Sequence, residues 1–275
     1  MTDRVDDLSI TPIWISPGWD VIGDVHGCFD ELIELLGQLG YRRGHRGAGW
    51  GHPEHRTLIF LGDLTDRGPN SIGVIRLTIT LQRDGAAYFC MGNHDNKLMR
   101  AIKGNPIQAR HGLAETLEEL SHVEDKAEMG RILQFLSTMA AYFVVGAGTV
   151  VGGKGWDHGD APRTKLVVAH AGIDRDQIGA PDNKKLLARC IYGNLLDERD
   201  KHDFLIRDHS WTEGYDDDEF FCVYGHTYVS EPNWRANTVN IDTGPAYGGS
   251  LTAFRWPERE LVAVAAPRAY AARVT

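Results

Sequence analysis

Five apolar runs in this chain stop in the same way, at a small residue followed at once by Asp, Asn or His. The stops are GDVH at 23–26, GD at 62–63, GNHD at 92–95, AHAG at 169–172 and YGH at 224–226. A short apolar run bounded by glycine reads as a buried strand. Such a strand holds the side chain at its end rigidly, and glycine lets backbone and ligand approach closely. In open α/β sheets, sites gather beyond the carboxyl ends of the strands. Asp24, His26, Asp63, Asn93, His94, His170 and His226 are therefore candidates for one shared site, which requires the strands to be laid side by side.

The rest of the pattern fits around these strands. FDELIELLGQL at 29–39 places Phe29, Leu32, Ile33, Leu36 and Leu39 at helical spacing. Residues 41–56, rich in Gly, Arg and His, read as an exposed loop whose three histidines face solvent. A second strand is predicted over 57–63, a helix over 71–82 and a third strand over 86–95. Helices are predicted over 97–102, 113–120 and 125–139. After that the texture becomes mostly β: 141–153, 164–172, 220–229, 238–244 and 250–266, the last a hairpin turning at PERE. The acidic run at 216–219 reads as a solvated turn. No linker, repeat or low-complexity stretch divides the chain, so one α/β domain over 1–275 is expected.

Bulk properties exclude some functions. The formal net charge of −9 disfavours a surface that coats nucleic acid, although an acidic protein can act on phosphate esters when metal ions supply local positive charge. No apolar run approaches the roughly 18 residues that span a bilayer, and residues 1–10 lack a signal-peptide core. The four cysteines, Cys28, Cys90, Cys190 and Cys222, are far apart and form no CxxC pair. They read as reduced thiols, and the expected location is cytoplasmic. Cys28 opens a predicted helix, where a lowered pKa competes with the plainer reading of a packed side chain.

Taken singly, each strand end has an ordinary explanation: Asp24 or Asp63 as a helix N-cap, His170 as a hydrogen-bonded core histidine, Asn93 and His94 as a turn. Five together point to metal. Carboxylate, carboxamide and imidazole without thiolate suit Mn, Fe or Zn. Six ligands exceed what one catalytic ion with open positions needs, so two ions sharing a carboxylate fit better. Asp63 is the expected bridge, because its strand should lie centrally.

GDVHG, GDLTDRG, GNHD, HAG and GHT, in this order, resemble the metallophosphoesterases of the phosphoprotein phosphatase (calcineurin-like) superfamily, and NIDTG at 240–244 extends the likeness. The resemblance implies two mixed β-sheets in a sandwich flanked by helices. It implies two divalent ions, Mn2+ first among Mn2+, Ni2+, Fe2+ and Zn2+. Asp24 and His26 match ligands of one ion, Asp63 the bridge, and Asn93, His170 and His226 ligands of the other. His94 matches a general acid held by Asp66, and Arg67 a phosphate-binding arginine. Asp242 is placed either behind His226 as an acceptor or as a buried turn carboxylate.

GNHDNKLMRAIKGN, HGLAETLEEL and the segment from NIDTG onward are most similar to the phosphatase module of bacterial polynucleotide kinase-phosphatases and to bacterial dinucleoside-tetraphosphatases. The expected reaction is hydrolysis of phosphate mono- and diesters by activated water, first at nucleic-acid or nucleotide ends, including 2′,3′-cyclic and 2′ or 3′ phosphates. The alternatives are dinucleoside polyphosphate hydrolysis and protein serine/threonine dephosphorylation. The latter branch would carry GNHE where this chain has GNHD. No GxxxxGK[ST] occurs, so any kinase or ligase partner would be a separate chain. Three stretches depart from the pattern: GHTY in place of GHTP, the 41–56 segment and an insert at 153–163.

Overall fold

The computed structural model describes residues 16, 18–46, 49–146, 149–150, 164–181, 183–199 and 205–273; the 153–163 insert lies outside them. The first half runs β1 (Trp19–Ile22), α1 (Phe29–Leu39), the ribbon β2 (Arg42–Arg46) and β3 (Gly49–Gly51), β4 (Thr57–Phe60), α2 (Ser71–Arg83), β5 (Ala87–Phe89), α3 (Asn93–Ile102), α4 (Leu113–Ser121) and α5 (Lys126–Ser137). The second half runs β6 (Tyr142–Gly146), β7 (Thr149–Val150), β8 (Lys165–Ala169), α6 (Lys184–Tyr192) and the ribbon β9 (Asn194–Arg199) and β10 (Leu205–Asp208). It ends with β11 (Phe220–Tyr224), β12 (Asn233–Arg235), β13 (Thr238–Asn240), β14 (Ser250–Trp256) and β15 (Glu260–Ala265).

These strands make two mixed sheets, ordered β15-β14-β1-β4-β5 and β12-β13-β11-β8-β6-β7. Each contains a parallel trio: β1, β4 and β5 in the first, β8, β11 and β13 in the second. Alternation along the strands sorts their side chains into layers. In β4 and the residue after it, Ile59 and Leu61, with Trp19, Val21 and Phe254 of the same sheet, face Phe221 and Val223 of the other. Leu58 and Phe60 face Leu32, Leu35 and Leu36 of α1 and the other helices. The outer face of the second sheet packs Val167, Ala169 and Tyr224 against Leu186 of α6 and Trp211. The result is helix, sheet, sheet, helix, with a dry seam between the sheets.

Several expectations change. In α1, Ile33 is 38% exposed and Leu35 is fully buried instead. Helix α3 begins at Asn93, four residues before the predicted start, so Asn93 and His94 lie in its first turn. Helix α6, capped by the Asn183 side chain, has no counterpart in the prediction. The 41–56 segment is not an exposed loop. It carries the β2–β3 ribbon, and its His52 is buried with Nε2 2.9 Å from the Leu39 carbonyl at the end of α1. Arg56 is buried too, donating to Asp20 at 2.8 Å and Glu258 at 2.8 Å. Burying those charges is tolerable only because they pair. The four cysteines are free and buried, and burial pushes the Cys28 thiol well up, so the packed reading holds.

Candidate metal centre

Each parallel trio delivers its side chains at the carboxyl ends of its strands. Asp24 and His26 follow β1, Asp63 follows β4, and Asn93 and His94 follow β5. His170 follows β8, His226 follows β11 and Asp242 follows β13. The loops are stitched to one another by backbone. The amides of His26 and Gly27 donate to the Asp63 and Leu64 carbonyls at 2.8 and 2.9 Å, and Gly225 donates to the His170 carbonyl at 2.8 Å.

The geometry converges. Asp63 lies with Oδ2 3.6 Å from His26 Nε2 and Oδ1 3.5 Å from His170 Nε2. Asn93 Oδ1 lies 2.8 Å from His226 Nδ1 and 3.2 Å from His170 Nε2. Asp24 Oδ2 accepts from the His226 amide at 3.1 Å and lies 4.0 Å from His170 Nδ1. Two groups of donors result, around His26, Asp63 and His94 and around Asp63, His170 and His226, with Asp63 in both. Its strand does lie between β1 and β5.

The local backbone is strained toward this end. Among the described residues, nine non-glycines have positive φ, and five of them are His26, Asp63, Asp66, Arg67 and His226. Left-handed backbone is costly for residues with a Cβ and clusters at functional positions. Gly92 is required for a different reason: a Cβ there would lie 2.2 Å from the Asp63 amide nitrogen and Oδ1.

The donor set fits cations. His26 Nδ1 and His170 Nδ1 donate to the Thr65 and Leu61 carbonyls at 3.0 and 3.1 Å, which fixes the tautomers and turns bare Nε2 atoms inward. Burial holds both rings, and His226, below the usual imidazole range, so all three are neutral near pH 7. Asp24 Oδ1 and His226 Nε2 are buried without a hydrogen-bond partner. Burial, Asp242 and Asp63 push Asp24 well above the usual carboxylate range. Burial raises Asp63 too, but as pH falls and the surrounding rings take up protons their charge, that of His170 first, outweighs it and holds that carboxyl low. Acceptors facing acceptors in a dry site need positive charge among them. The Arg67 guanidinium already donates to His26 Nε2.

Beside the donors stands a second constellation. Arg67 Nη2 lies 2.9 Å from His94 Nε2, and His94 Nδ1 lies 2.5 Å from Asp66 Oδ2. Thr116 of α4 donates to the other Asp66 oxygen at 2.6 Å. Asp242 does not sit behind His226 as an acceptor. Its Oδ1 closes a turn by accepting from the Gly244 amide at 3.3 Å, and burial pushes it up to about 6.

Two residues escaped the sequence reading. Arg207 of β10 lines a small pocket beside His226, and its side chain donates to the Tyr192 carbonyl at 2.7 Å. Nothing in its local sequence marks it. Asp95 stands inside GNHD, and its carboxylate accepts from the amides of Asp63 at 2.7 Å, Leu64 at 3.0 Å and Gly92 at 3.0 Å. Burial and Asp63 push it up to about 8, with those amides pulling the other way. Asp95→Ala strands three buried donors, each a loss of about 1–3 kcal/mol. The expected result is a drop in unfolding free energy of about 3 kcal/mol or more by denaturant titration; a change within about 0.5 kcal/mol would contradict it.

The chain matches the calcineurin-like phosphoesterase family over residues 20–243. It is 40% identical to the asymmetrical bis(5′-nucleosyl)-tetraphosphatase PrpE of Halalkalibacterium halodurans over 248 residues, covering 90% of this chain and 93% of that one. It is also 40% identical over 249 residues to the protein of the same name from Bacillus subtilis, with the same coverages. A solved structure described as a candidate diadenosine tetraphosphatase superposes with a TM-score of 0.59 at 22% identity, covering 92% of this chain and 96% of that one, and supports the fold.

Proposed function

This chain belongs to the calcineurin-like phosphoesterases, and from that premise we propose that it hydrolyses dinucleoside tetraphosphates asymmetrically, to a nucleoside triphosphate and a nucleoside monophosphate. The observation that carries this reading is 40% identity over 90% of the chain to enzymes of that name. The nucleic-acid-end reading, placed first on sequence alone, now stands second, since local motif likeness is all that favours it. No described helix is long and apolar enough to cross a membrane.

In this proposal Asp24, His26 and Asp63 hold one divalent ion, and Asp63, Asn93, His170 and His226 hold the other, with Mn2+ as the native metal. The ions, when bound, acidify water and offset phosphoryl charge. The protein's own groups do the rest. Arg67 sets its planar fork against two phosphoryl oxygens, a geometry lysine cannot supply. His94 gives a proton from Nε2 to the departing oxygen, and Asp66 holds the opposite ring N–H and so orients the ring. Thr116 keeps Asp66 pointed at that ring.

The test is a panel run side by side with manganese: diadenosine tetraphosphate, a 2′,3′-cyclic nucleotide, an RNA 3′-phosphate and a phosphoserine peptide. Diadenosine tetraphosphate is expected to give the highest kcat/KM, by about tenfold or more, with AMP and ATP as products. Faster turnover of the cyclic nucleotide would restore the end-processing reading, and two ADP as product would contradict the asymmetry. Repeating the panel with Ni2+, Fe2+ and Zn2+ tests the metal.

A further inference from the structure

GHTY, the departure at Tyr228, is unused by the chemistry above, yet it stands two residues from His226. Its backbone is held on both sides: Asn240 Nδ2 donates to the Thr227 carbonyl at 2.8 Å, and the Val229 amide donates to the Asp242 carbonyl at 2.9 Å. Gly244, at φ 64°, makes room for its ring, since a Cβ there would lie 2.4 Å from Tyr228 Cδ2. The Tyr228 ring meets Tyr247 edge to face at 5.9 Å and 87°. Tyr247 in turn lies under the Arg67 guanidinium at 5.3 Å, and Arg273 covers Tyr228 at 4.3 Å. Both tyrosines are half-buried. Two pre-positioned aromatic rings thus adjoin the arginine proposed to grip phosphate, and the cation over Tyr228 is the exposed Arg273, which a base can displace.

We propose that the Tyr228–Tyr247 corner binds the nucleobase of the nucleoside whose phosphate is attacked. The inference rests on the tetraphosphatase reading and specifies its register. One base of a dinucleoside tetraphosphate is joined to the attacked phosphorus through its ribose alone; the other is three phosphates further away. A corner in contact with Arg67 reaches only the near base, and cleavage there releases a nucleoside monophosphate. Stacking on an aromatic side chain is tolerant of base identity, so purine and pyrimidine nucleotides both qualify.

The test is calorimetric binding of AMP and ribose 5-phosphate to manganese-loaded protein; the two share the phosphate and differ by the base. AMP is expected to bind about tenfold tighter. Tyr228→Leu should bring the ratio close to one without changing ribose 5-phosphate binding, and Tyr228→Phe should keep it. Equal binding in the unmodified protein, or an unchanged ratio in Tyr228→Leu, overturns the assignment. The corner and the parent reading fail separately. The expected ratio in a protein that leaves diadenosine tetraphosphate uncut supports the corner and sinks the tetraphosphatase reading. Equal binding in a protein that does cut it reverses both conclusions.

Discussion

Asp63→Ala is expected to bring metal content, measured by mass spectrometry on the dialysed protein, from about two ions per chain to below one. Turnover on every phosphate ester should fall by about 10³-fold or more. Asp63 is the residue common to both donor groups, with one oxygen facing His26 and the other facing His170. Its Oδ1 also accepts from the His94 amide at 2.9 Å, so the same carboxylate fixes the first turn of α3. Removing it takes away the shared negative charge and loosens the helix that carries Asn93 and His94. Asp63→Asn separates the two effects, because it keeps an acceptor for that amide while discarding the charge. If Asp63→Asn retains about two ions per chain, the bridging role is wrong.

His94→Ala is expected to do something different: both ions stay, and the loss depends on the leaving group. A proton donor matters most when the departing oxygen is a strong base. Glycerol phosphate, an alkyl ester, should lose about 10²–10⁴-fold in kcat. Diadenosine tetraphosphate, whose leaving group is a polyphosphate that departs as an anion near neutral pH, should lose about tenfold or less. The Asp66 pairing at 2.5 Å makes the assignment specific, since it places one ring proton on Nδ1 and leaves Nε2 facing the site. Asp66→Asn should reproduce the same leaving-group dependence more weakly. Equal losses on both substrates would remove the proton-donor role, and lost metal would make His94 a ligand instead.

The candidate site was legible in the sequence because its chemistry is concentrated at strand ends, where continuous apolar runs stop at a small residue and a polar side chain. The six candidate donors, His94, Asp66 and Arg67 were named this way or by resemblance, and the structure brings them to one rim. What escaped was set by tertiary contacts. The segment around His52 and Arg56 has the polarity of a solvated loop, and its burial depends on distant partners, the Leu39 carbonyl for His52 and Asp20 in β1 and Glu258, about 200 positions away, for Arg56. Ile33 and Leu35 are equally apolar, and the choice between them depends on which side of α1 the sheet lies. Asp95 was passed over because it binds backbone amides, a task that leaves no spacing rule behind. For Asp242, chain order left a turn and a hydrogen bond to a distant ring both open, and the structure shows the turn.

The donor residues come from both sheets and span positions 24 to 226. During synthesis the first sheet's share, up to Asn93, emerges long before His170 and His226 exist. A nascent chain can assemble only part of the cage, the part that lacks His170 and His226. In the proposed assignment the donors of one ion, Asp24, His26 and Asp63, are thus all made early, whereas the cage of the other closes only once position 226 has been reached.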